Sequence, residues 1–350
     1  MLHGCLMKQQ RLKLDSSIPK YGISSSVVRG MEHKIEGKRL LVTGGCGFIG
    51  SHLVDTLVKG ANEVTILDNL SSSTLEYVRQ HITKRKLRFF KGDIRDFRIV
   101  SKLCSEKDAV FHFAAQPDVR LSLTQPIRDF ETNVMGTLNL LEAARTREVP
   151  LFVFASTSTV YGQANVIPTP ESYPIAPISN YGASKSACET YMMAYSSCYG
   201  MSCISLRYAN IFGERSNHGV VHDFFVKLKR DPLKLEILGD GRQKKSYVYI
   251  SDCVEASILA AEAGSRKEFE AFNIGSSEQV EVNQIARLVT EQLGISSVDF
   301  SYSGGKAGWI GDVTDMLLDT TRIRNLGWET KVDTKEGIRR YVSWLKQKYP

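Results

Sequence analysis

Apolar positions along the chain alternate between two spacings from residue 38 onward. Short runs rich in β-branched and aromatic residues are typical of buried parallel strands, and longer segments with apolar residues every three or four positions are typical of helices. The strand-like runs are 39–43, 63–67, 87–92, 109–114, 151–155 and 203–207, and three of the helical segments between them are 96–105, 126–147 and 181–200. Repeated strand–helix–strand units predict an α/β fold with a doubly wound parallel sheet.

The regular alternation of strand-like and helical segments ends at about residue 208. An amphipathic helix (VVHDFFVKLKRD), an Asp-Gly turn within LGDGRQKKSYVYISD and a final helix (TKEGIRRYVSWLKQK) are separated by irregular segments. We therefore predict three parts: a basic leader at 1–36 that we expect to be disordered, a doubly wound domain at 37–207, and a smaller C-terminal α/β lobe at 208–350.

Charge, hydropathy and cysteine spacing argue against a nucleic-acid-binding protein, a membrane protein and a zinc protein. The net charge of +7 is concentrated in residues 1–30, which carry five basic residues and one acidic residue. The rest of the chain has no basic stripe, so we expect no nucleic-acid partner, and no apolar run reaches about 18 residues, so we expect no membrane span. The seven cysteines have no CxxC pair or zinc-like spacing. We expect free thiols in a reducing, cytoplasmic compartment and no metal site.

A glycine-rich segment, VTGGCGFIGSHL at 42–53, follows the first strand and opens the first helix. Gly44, Gly47 and Gly50 lack a Cβ, so the backbone can approach a pyrophosphate that faces the N–H groups of the helix N-terminus. The next strand ends at Asp68, where a carboxylate can accept hydrogen bonds from ribose hydroxyls but repels a 2′-phosphate. DNLSSS contains no basic residue, so the sequence predicts a Rossmann site for NAD rather than NADP.

Tyr181 and Lys185 lie four residues apart in NYGASK, on one face of a helix. A free tyrosine titrates near pH ~10, too high for a general base at neutral pH. An ammonium ~4 Å away contributes about 4 kcal/mol, or roughly three pKa units, and a positively charged nicotinamide acts in the same direction. We therefore expect Tyr181 to act as a base with a lowered pKa.

A third motif, STSTVYG at 156–162, follows the buried strand LFVFA. It places the hydroxyls of Thr157, Ser158 and Thr159 at the end of a parallel strand and contains no carboxylate. Three hydroxyls in a row at a strand end are more typical of a chemical site than of packing, and no acid–base pair of carboxylates accompanies them. The three motifs, in this order, favour a dehydrogenase-type site.

At these residues the chain resembles the nucleotide-sugar branch of the extended short-chain dehydrogenase/reductase family, over residues 38–350. The resemblance is carried by TGGCGFIGSHL, DNLSSS, GDIRD, FHFAA, STSTVYG, NYGASK, RYANIFG, YVYISD and GDVTDMLLDTTRIRNLGW. It implies an NAD-binding domain, a nucleotide-sugar-binding lobe and a catalytic trio of Tyr181, Lys185 and Thr157.

The resemblance also assigns binding residues. NAD would contact Gly44, Gly47, Phe48, Ile49, Gly50, Asp68, Asn69, Asp93, Ile94, Ala114, Ala115, Asn133, Tyr181 and Lys185. The nucleotide sugar would contact Thr157, Tyr181, Asn210, Lys245 and Asp312. Four positions depart from the family pattern: Ala209 replaces an aromatic residue, Lys245-Ser246 replaces an arginine–aspartate pair, and Trp309 replaces an arginine. A lysine meets a phosphate as a point charge and not as a bidentate fork.

The hydroxyl motif distinguishes between the reactions of this branch. Dehydratases follow the Thr157 position with an Asp-Glu pair that eliminates water, but here Ser158 and Thr159 occupy those places. Each such acid or base is worth ~10²–10⁴ in rate. We therefore expect C4 epimerisation of UDP-glucose and UDP-galactose: Tyr181, directly or through Thr157, takes the hydroxyl proton, NAD takes and returns the hydride, and the 4-keto sugar turns over between the two steps.

Several alternatives stay open. The substrate can be a UDP-N-acetylhexosamine or a UDP-uronic acid, because Met316, near the C2 substituent in relatives, is neither small nor large. A 4,6-dehydratase and a non-catalytic NAD-binding protein are less favoured, since both Tyr181 and Lys185 are present. The helices at 126–147 and 181–200 resemble those that pair in family dimers, so we expect a homodimer.

Overall fold

The computed structural model describes residues 34–264 and 268–350, and the predicted leader therefore lies outside the described residues except for 34–36. A seven-stranded sheet has the order β3-β2-β1-β4-β5-β6-β11, with every neighbouring pair parallel. Its strands are β1 Arg39–Thr43, β2 Glu63–Asp68, β3 Leu87–Lys91, β4 Ala109–His112, β5 Leu151–Thr157, β6 Ser202–Tyr208 and β11 Phe269–Ile274. This order reverses between β1 and β4, so the predicted doubly wound sheet is confirmed.

Helices cover both faces of this sheet. One face packs against α1 Phe48–Lys59 and α9 Ile250–Ala263, and the other against α3 Phe97–Cys104, α6 Gly136–Thr146 and α7 Asn180–Tyr199. Leu40 and Leu41 are both fully buried, but they lie in the two different clusters. Side chains of a strand alternate between faces, so a strand buried on both sides is apolar at every position, which is the pattern that identified these strands. Three shorter helices are α2 Arg79–Thr83, α4 Val119–Thr124 and α5 Pro126–Phe130.

The segment predicted to form the C-terminal lobe, 208–350, contains three small sheets in its described residues. They pair β7 Asn210–Phe212 with β10 Tyr247–Tyr249, β8 Lys234–Ile237 with β13 Asp299–Tyr302, and β9 Lys244–Lys245 with both β12 Val280–Glu281 and β14 Asp315–Met316. Its helices are α8 Val220–Arg230, α10 Val282–Leu293, α11 Thr321–Arg324 and α12 Thr334–Lys348. β11 also follows residue 208, but it forms the edge of the seven-stranded sheet beside β6.

The helix predicted at 126–147 is interrupted by a π-helical segment, Glu131–Met135, between α5 and α6. The carbonyl of Asn133 accepts hydrogen bonds from Thr137 Oγ1 and, at 3.2 Å, from Cys188 Sγ. A π turn is common at functional sites because it displaces one residue from the regular ladder. This segment contains Asn133, a predicted cofactor contact.

The structure also bears on the predictions about dimerisation, membrane spans and cysteines. Apolar side chains are exposed on the helices to which dimerisation was assigned, namely Ile127, Phe130, Met135, Tyr191 and Tyr199. Dimerisation stays a prediction. Within residues 34–264 and 268–350, we find no helix with the length and apolar character needed to cross a bilayer. The cysteines in that part of the chain are all free.

Candidate active site

The glycine-rich turn joins β1 to α1 at the carboxyl edge of the sheet. Gly44 has φ +69°, and a Cβ there would lie 2.5 Å from the backbone nitrogen of Ala114. A Cβ on Gly50 would lie 2.2 Å from the carbonyl oxygen of Gly44. Gly47 is the N-cap of α1 and supplies no side-chain cap, so the first N–H groups of the helix, beginning at Phe48 and Ile49, stay available to an anion.

Asp68 is the last residue of β2 and is buried beside this turn. One carboxylate oxygen accepts a hydrogen bond from the Cys46 N–H at 3.0 Å, and the other accepts from Leu70 N–H at 2.9 Å and Ser73 Oγ at 2.8 Å. These bonds fix the carboxylate in one orientation. The oxygen that faces Cys46 keeps a free lone pair, which suits a ribose hydroxyl.

Three of the predicted NAD contacts, Asn69, Asp93 and Ile94, lie just beyond the ends of β2 and β3. Asn69 Nδ2 donates to Asp93 at 3.0 Å, and Arg95 binds the same carboxylate through Nε and Nη2 at 2.9 Å each. Hydrogen bonds from Arg95 lower the pKa of Asp93 to about 2. Ile94 is buried against Gly136, where a Cβ would lie 2.4 Å from the Ile94 side chain.

Ala114 and Ala115 lie just beyond the carboxyl end of β4, and with Gln116 they form a short backbone segment, the ledge. The ledge is tied to the π turn because Asn133 Oδ1 accepts from Gln116 N–H at 2.8 Å and Asn133 Nδ2 lies 3.1 Å from the Gln116 carbonyl. Asn133 Nδ2 also lies 3.2 Å from Ser184 Oγ on α7. The predicted cofactor asparagine is therefore 2% exposed and holds the ledge against the helix of Tyr181 and Lys185.

Tyr181 and Lys185 lie in the first two turns of α7, above the end of β5. Ser179 caps this helix by accepting from Gly182 N–H, and Tyr181 N–H donates to Ser122 Oγ at 3.1 Å. The Lys185 ammonium donates to the carbonyl of Ala155 at 2.8 Å and lies 5.8 Å from the centre of the Tyr181 ring. The structure thus brings both residues to the strand that ends at Thr157.

Burial controls the proton affinities of this pair. It raises the pKa of Tyr181 above the usual range of tyrosine, and the charge of Asp129 adds to the rise. It lowers the pKa of Lys185 to about 8. The predicted lowering of the Tyr181 pKa by Lys185 is wrong for the protein alone, because the ammonium bonds a β5 carbonyl and both groups are withdrawn from water.

Thr157 is the final residue of β5, two positions beyond the predicted strand end. Its Oγ1 accepts from Thr159 N–H and from Thr159 Oγ1, both at 3.2 Å. Ser158 begins the single 3₁₀ turn Ser158–Tyr161 that follows. The hydroxyl of Thr159 therefore orients the hydroxyl that was predicted to meet the substrate.

The predicted substrate residues of the lobe are partly engaged with each other. Lys245 Nζ and Asp312 Oδ1 form an ion pair at 2.5 Å with side chains 12% and 2% exposed, and Lys245 Nζ lies 4.9 Å from the centre of the Trp309 ring. Asn210 Nδ2 donates to the carbonyl of Ser246 at 3.0 Å, which joins it to the segment of Lys245. The sequence motifs treated Lys245 and Asp312 as separate ligands and did not reveal that they pair.

Sequence reasoning also missed buried charged groups around α7. Asp129 is 1% exposed and accepts from Asn133 Nδ2 at 3.1 Å, and Glu189 is fully buried against Arg207. Asp129 precedes Asn133 by four residues and Glu189 follows Lys185 by four. This spacing on one helical face was a signal that could have identified both.

Comparison with known proteins agrees with this geometry. The family model described as GDP-mannose 4,6 dehydratase matches residues 41–341. A putative UDP-glucose 4-epimerase of Methanocaldococcus jannaschii is 36% identical over 88% of this chain and 98% of its own length. A dTDP-D-glucose 4,6-dehydratase of Homo sapiens is 32% identical over 89% of this chain and 91% of its own.

Solved structures give the same result. A crystal structure of a UDP-galactose 4-epimerase covers 89% of this chain and 100% of its own, with 42% identity and a TM-score of 0.80. The UDP-glucose 4-epimerase of Thermus thermophilus in complex with NAD covers 88% and 99%, with 36% identity and a TM-score of 0.79. The chain therefore belongs to the GDP-mannose 4,6-dehydratase family of extended short-chain dehydrogenases/reductases, which comprises nucleotide-sugar 4-epimerases and 4,6-dehydratases.

Proposed function

We propose that the protein is an NAD-dependent epimerase that inverts C4 of a UDP-hexose, with UDP-glucose and UDP-galactose as its substrates. The observation that carries this proposal is the end of β5, where Thr157 is followed by the hydroxyls of Ser158 and Thr159 in place of an acid–base pair of carboxylates. Water elimination needs a positioned proton donor, and epimerisation at C4 does not. The epimerase relatives, at 36% and 42% identity, support the same interpretation.

The residues at this edge of the sheet fit NAD. The uncapped N-terminus of α1 would hold the pyrophosphate, Asp68 would accept from the adenosine ribose, and Lys185 would donate to the nicotinamide ribose. NAD, when bound, supplies the acceptor and donor of hydride at C4 and a positive charge that favours the phenolate of Tyr181. Tyr181 takes the proton of the C4 hydroxyl, directly or through Thr157, and returns it to the inverted alcohol.

The lobe holds the nucleotide while the sugar turns over. We assign the diphosphate to Asn210 and Lys245 and the uridine ribose to Asp312, with Lys245 exchanging part of its bond to Asp312 for a phosphate oxygen. A lysine ammonium is a point charge on a flexible stem and lacks the rigid bidentate geometry of arginine, so it can bind the diphosphate in more than one orientation. Met316 is 8% exposed and lies opposite Lys245 in the β9–β14 pairing, so it lies beside a proposed diphosphate ligand.

The proposal predicts a product of unchanged mass. Incubation of UDP-galactose with the purified protein and catalytic NAD should give the anomeric proton signals of UDP-glucose, and mass spectrometry should detect no product lighter by one water. Loss of water with any hexose nucleotide would establish the 4,6-dehydratase instead. If UDP-galactose is unchanged, the same assay with UDP-N-acetylglucosamine and UDP-glucuronate decides between the other epimerases and a binding protein that does not turn over.

Cofactor choice provides a second test. Asp68→Asn keeps the size of the side chain but removes the charge that repels a 2′-phosphate, so the ratio of the Kd for NADP to the Kd for NAD should fall at least about tenfold. Fluorescence titration with both cofactors measures this ratio. Asp96→Asn is the matched control, because Asp96 caps α3 through Arg98 and Ile99 N–H and lies outside the proposed site. An unchanged ratio in Asp68→Asn would contradict the role of Asp68.

A further inference from the structure

A fully buried carboxylate lies one turn beyond Lys185 on α7. Glu189 is 0% exposed and accepts hydrogen bonds from Ser156 Oγ at 2.5 Å and from Ser205 Oγ at 2.8 Å. Arg207, which is 3% exposed on β6, donates to it through Nη2 at 2.6 Å and through Nε at 3.1 Å. The carboxylate therefore connects the catalytic helix to two neighbouring strands in the sheet.

Arg207 extends these connections toward the lobe. Its Nη1 donates to the hydroxyl of Tyr161 at 2.8 Å and to the carbonyl of Glu171 at 2.9 Å. The Tyr161 hydroxyl donates to Asn273 Oδ1 at 2.7 Å, and Asn273 Nδ2 donates to the carbonyl of Asp319 at 3.0 Å. One continuous network thus runs from α7 through the 3₁₀ turn after Thr157 to β11 and the segment before α11.

Stability alone does not explain this arrangement. A buried ion pair loses so much hydration energy that apolar residues of similar volume often stabilise a protein equally well or better. What the network does supply is fixed geometry, because each donor and acceptor permits only one arrangement. Ser156 immediately precedes Thr157, and Glu189 lies four residues after Lys185, so the network ties together the two elements that bear the proposed catalytic groups.

We propose that Glu189 and Arg207 are positioning residues that fix α7 against the end of β5 and so hold Tyr181 and Lys185 in register with Thr157. This inference rests on the proposed function for its kinetic consequence, whereas its effect on Lys185 does not depend on any sugar. The charge of Glu189 also supports the ammonium form of Lys185. The other titratable groups that face Lys185 are Asp129 from α5, His112 from β4, and Tyr181 and Cys188 on α7.

The deciding variant is Glu189→Gln combined with Arg207→Met. The single substitution Glu189→Gln leaves the Arg207 guanidinium buried without a counter-charge and endangers folding, whereas the double substitution removes both charges and should leave the Tm within a few degrees of the wild type. Its kcat for UDP-galactose should fall about tenfold to hundredfold with little change in KM, since misplacement by about 1 Å has an effect of this size. The matched control, Glu236→Gln with Lys227→Met, removes a partly exposed pair that joins β8 to α8 and should keep the wild-type kcat.

A second readout is independent of the substrate. In protein with isotope-labelled lysine, the Lys185 signal is assigned by its loss in Lys185→Met, and its titration is followed by NMR. The double variant removes two opposite charges, so a displaced midpoint reports that α7 has shifted and that Lys185 has lost its fixed contact with the Ala155 carbonyl. We expect the midpoint to move in the double variant and to stay fixed in the control. Wild-type kcat together with an unmoved midpoint would overturn the inference. If the wild type does not turn over UDP-galactose, the proposed function fails and the Lys185 titration alone decides the positioning role.

Discussion

Replacing Tyr181 with phenylalanine should lower the kcat of C4 epimerisation by about 10²–10⁴-fold, the range for loss of a general base. The change removes only the hydroxyl, and the ring that lies 5.8 Å from the Lys185 ammonium remains. The measurement is proton NMR of UDP-galactose with catalytic NAD, in which the anomeric signals of UDP-glucose report the rate.

The matched control for this experiment is Tyr195→Phe. Tyr195 lies on the same helix, and its hydroxyl donates to Glu142 at 3.2 Å, so its loss removes a tyrosine hydroxyl without touching the proposed base. We expect the control to keep the rate of the wild type. If Tyr181→Phe also keeps it, the base is another group and the proposed mechanism fails.

The second large effect is expected from Gly50→Ala. The added Cβ would lie 2.2 Å from the carbonyl oxygen of Gly44 and 3.0 Å from the Cα of Gly45. Both neighbours are backbone, so the whole turn must move, and with it the Cys46 N–H that binds Asp68. Overpacking of this kind costs typically about 1–3 kcal/mol, and we expect the affinity for NAD to fall by about 10²-fold.

Calorimetric titration with NAD measures this loss, and thermal unfolding shows whether the fold persists. Gly60→Ala at the other end of α1 is the control, because its Cβ would first meet the Asn62 side chain at 3.0 Å and the position has φ −79°. The control should bind NAD like the wild type. Equal affinity in Gly50→Ala would show that the turn tolerates a Cβ and does not hold the pyrophosphate as proposed.

The two predictions depend on residues that are near neighbours in the sequence. The glycine turn is local: Gly44, Gly47 and Gly50 lie within seven residues, and the strand and helix that flank them follow from apolar periodicity. The Tyr181–Lys185 pair is also local, because residues four apart on a helix share a face. Their place beside Thr157 was expected from the family resemblance and not from spacing, because Thr157 and Tyr181 are 24 positions apart.

Long-range pairings could not be predicted in this way. Lys245 and Asp312 are separated by 67 positions, and Tyr161 and Asn273 by 112, yet each pair forms a hydrogen bond. A motif records which residue types are present, whereas the partner of a charged or polar group depends on which segments the fold brings into contact. For the same reason, the edge position of β11 beside β6 was not evident from its place after residue 208.

By itself the sequence determined the order of strands and helices, the glycine turn with Asp68, the helix that bears Tyr181 and Lys185, and the hydroxyls at 157–159, because each depends on near neighbours in the chain. Only the tertiary structure decided that Lys185 donates to Ala155 and that burial raises the pKa of Tyr181 and lowers that of Lys185. The physical reason is that a pKa depends on how much water and which charges surround a group, and both are set when distant segments pack together.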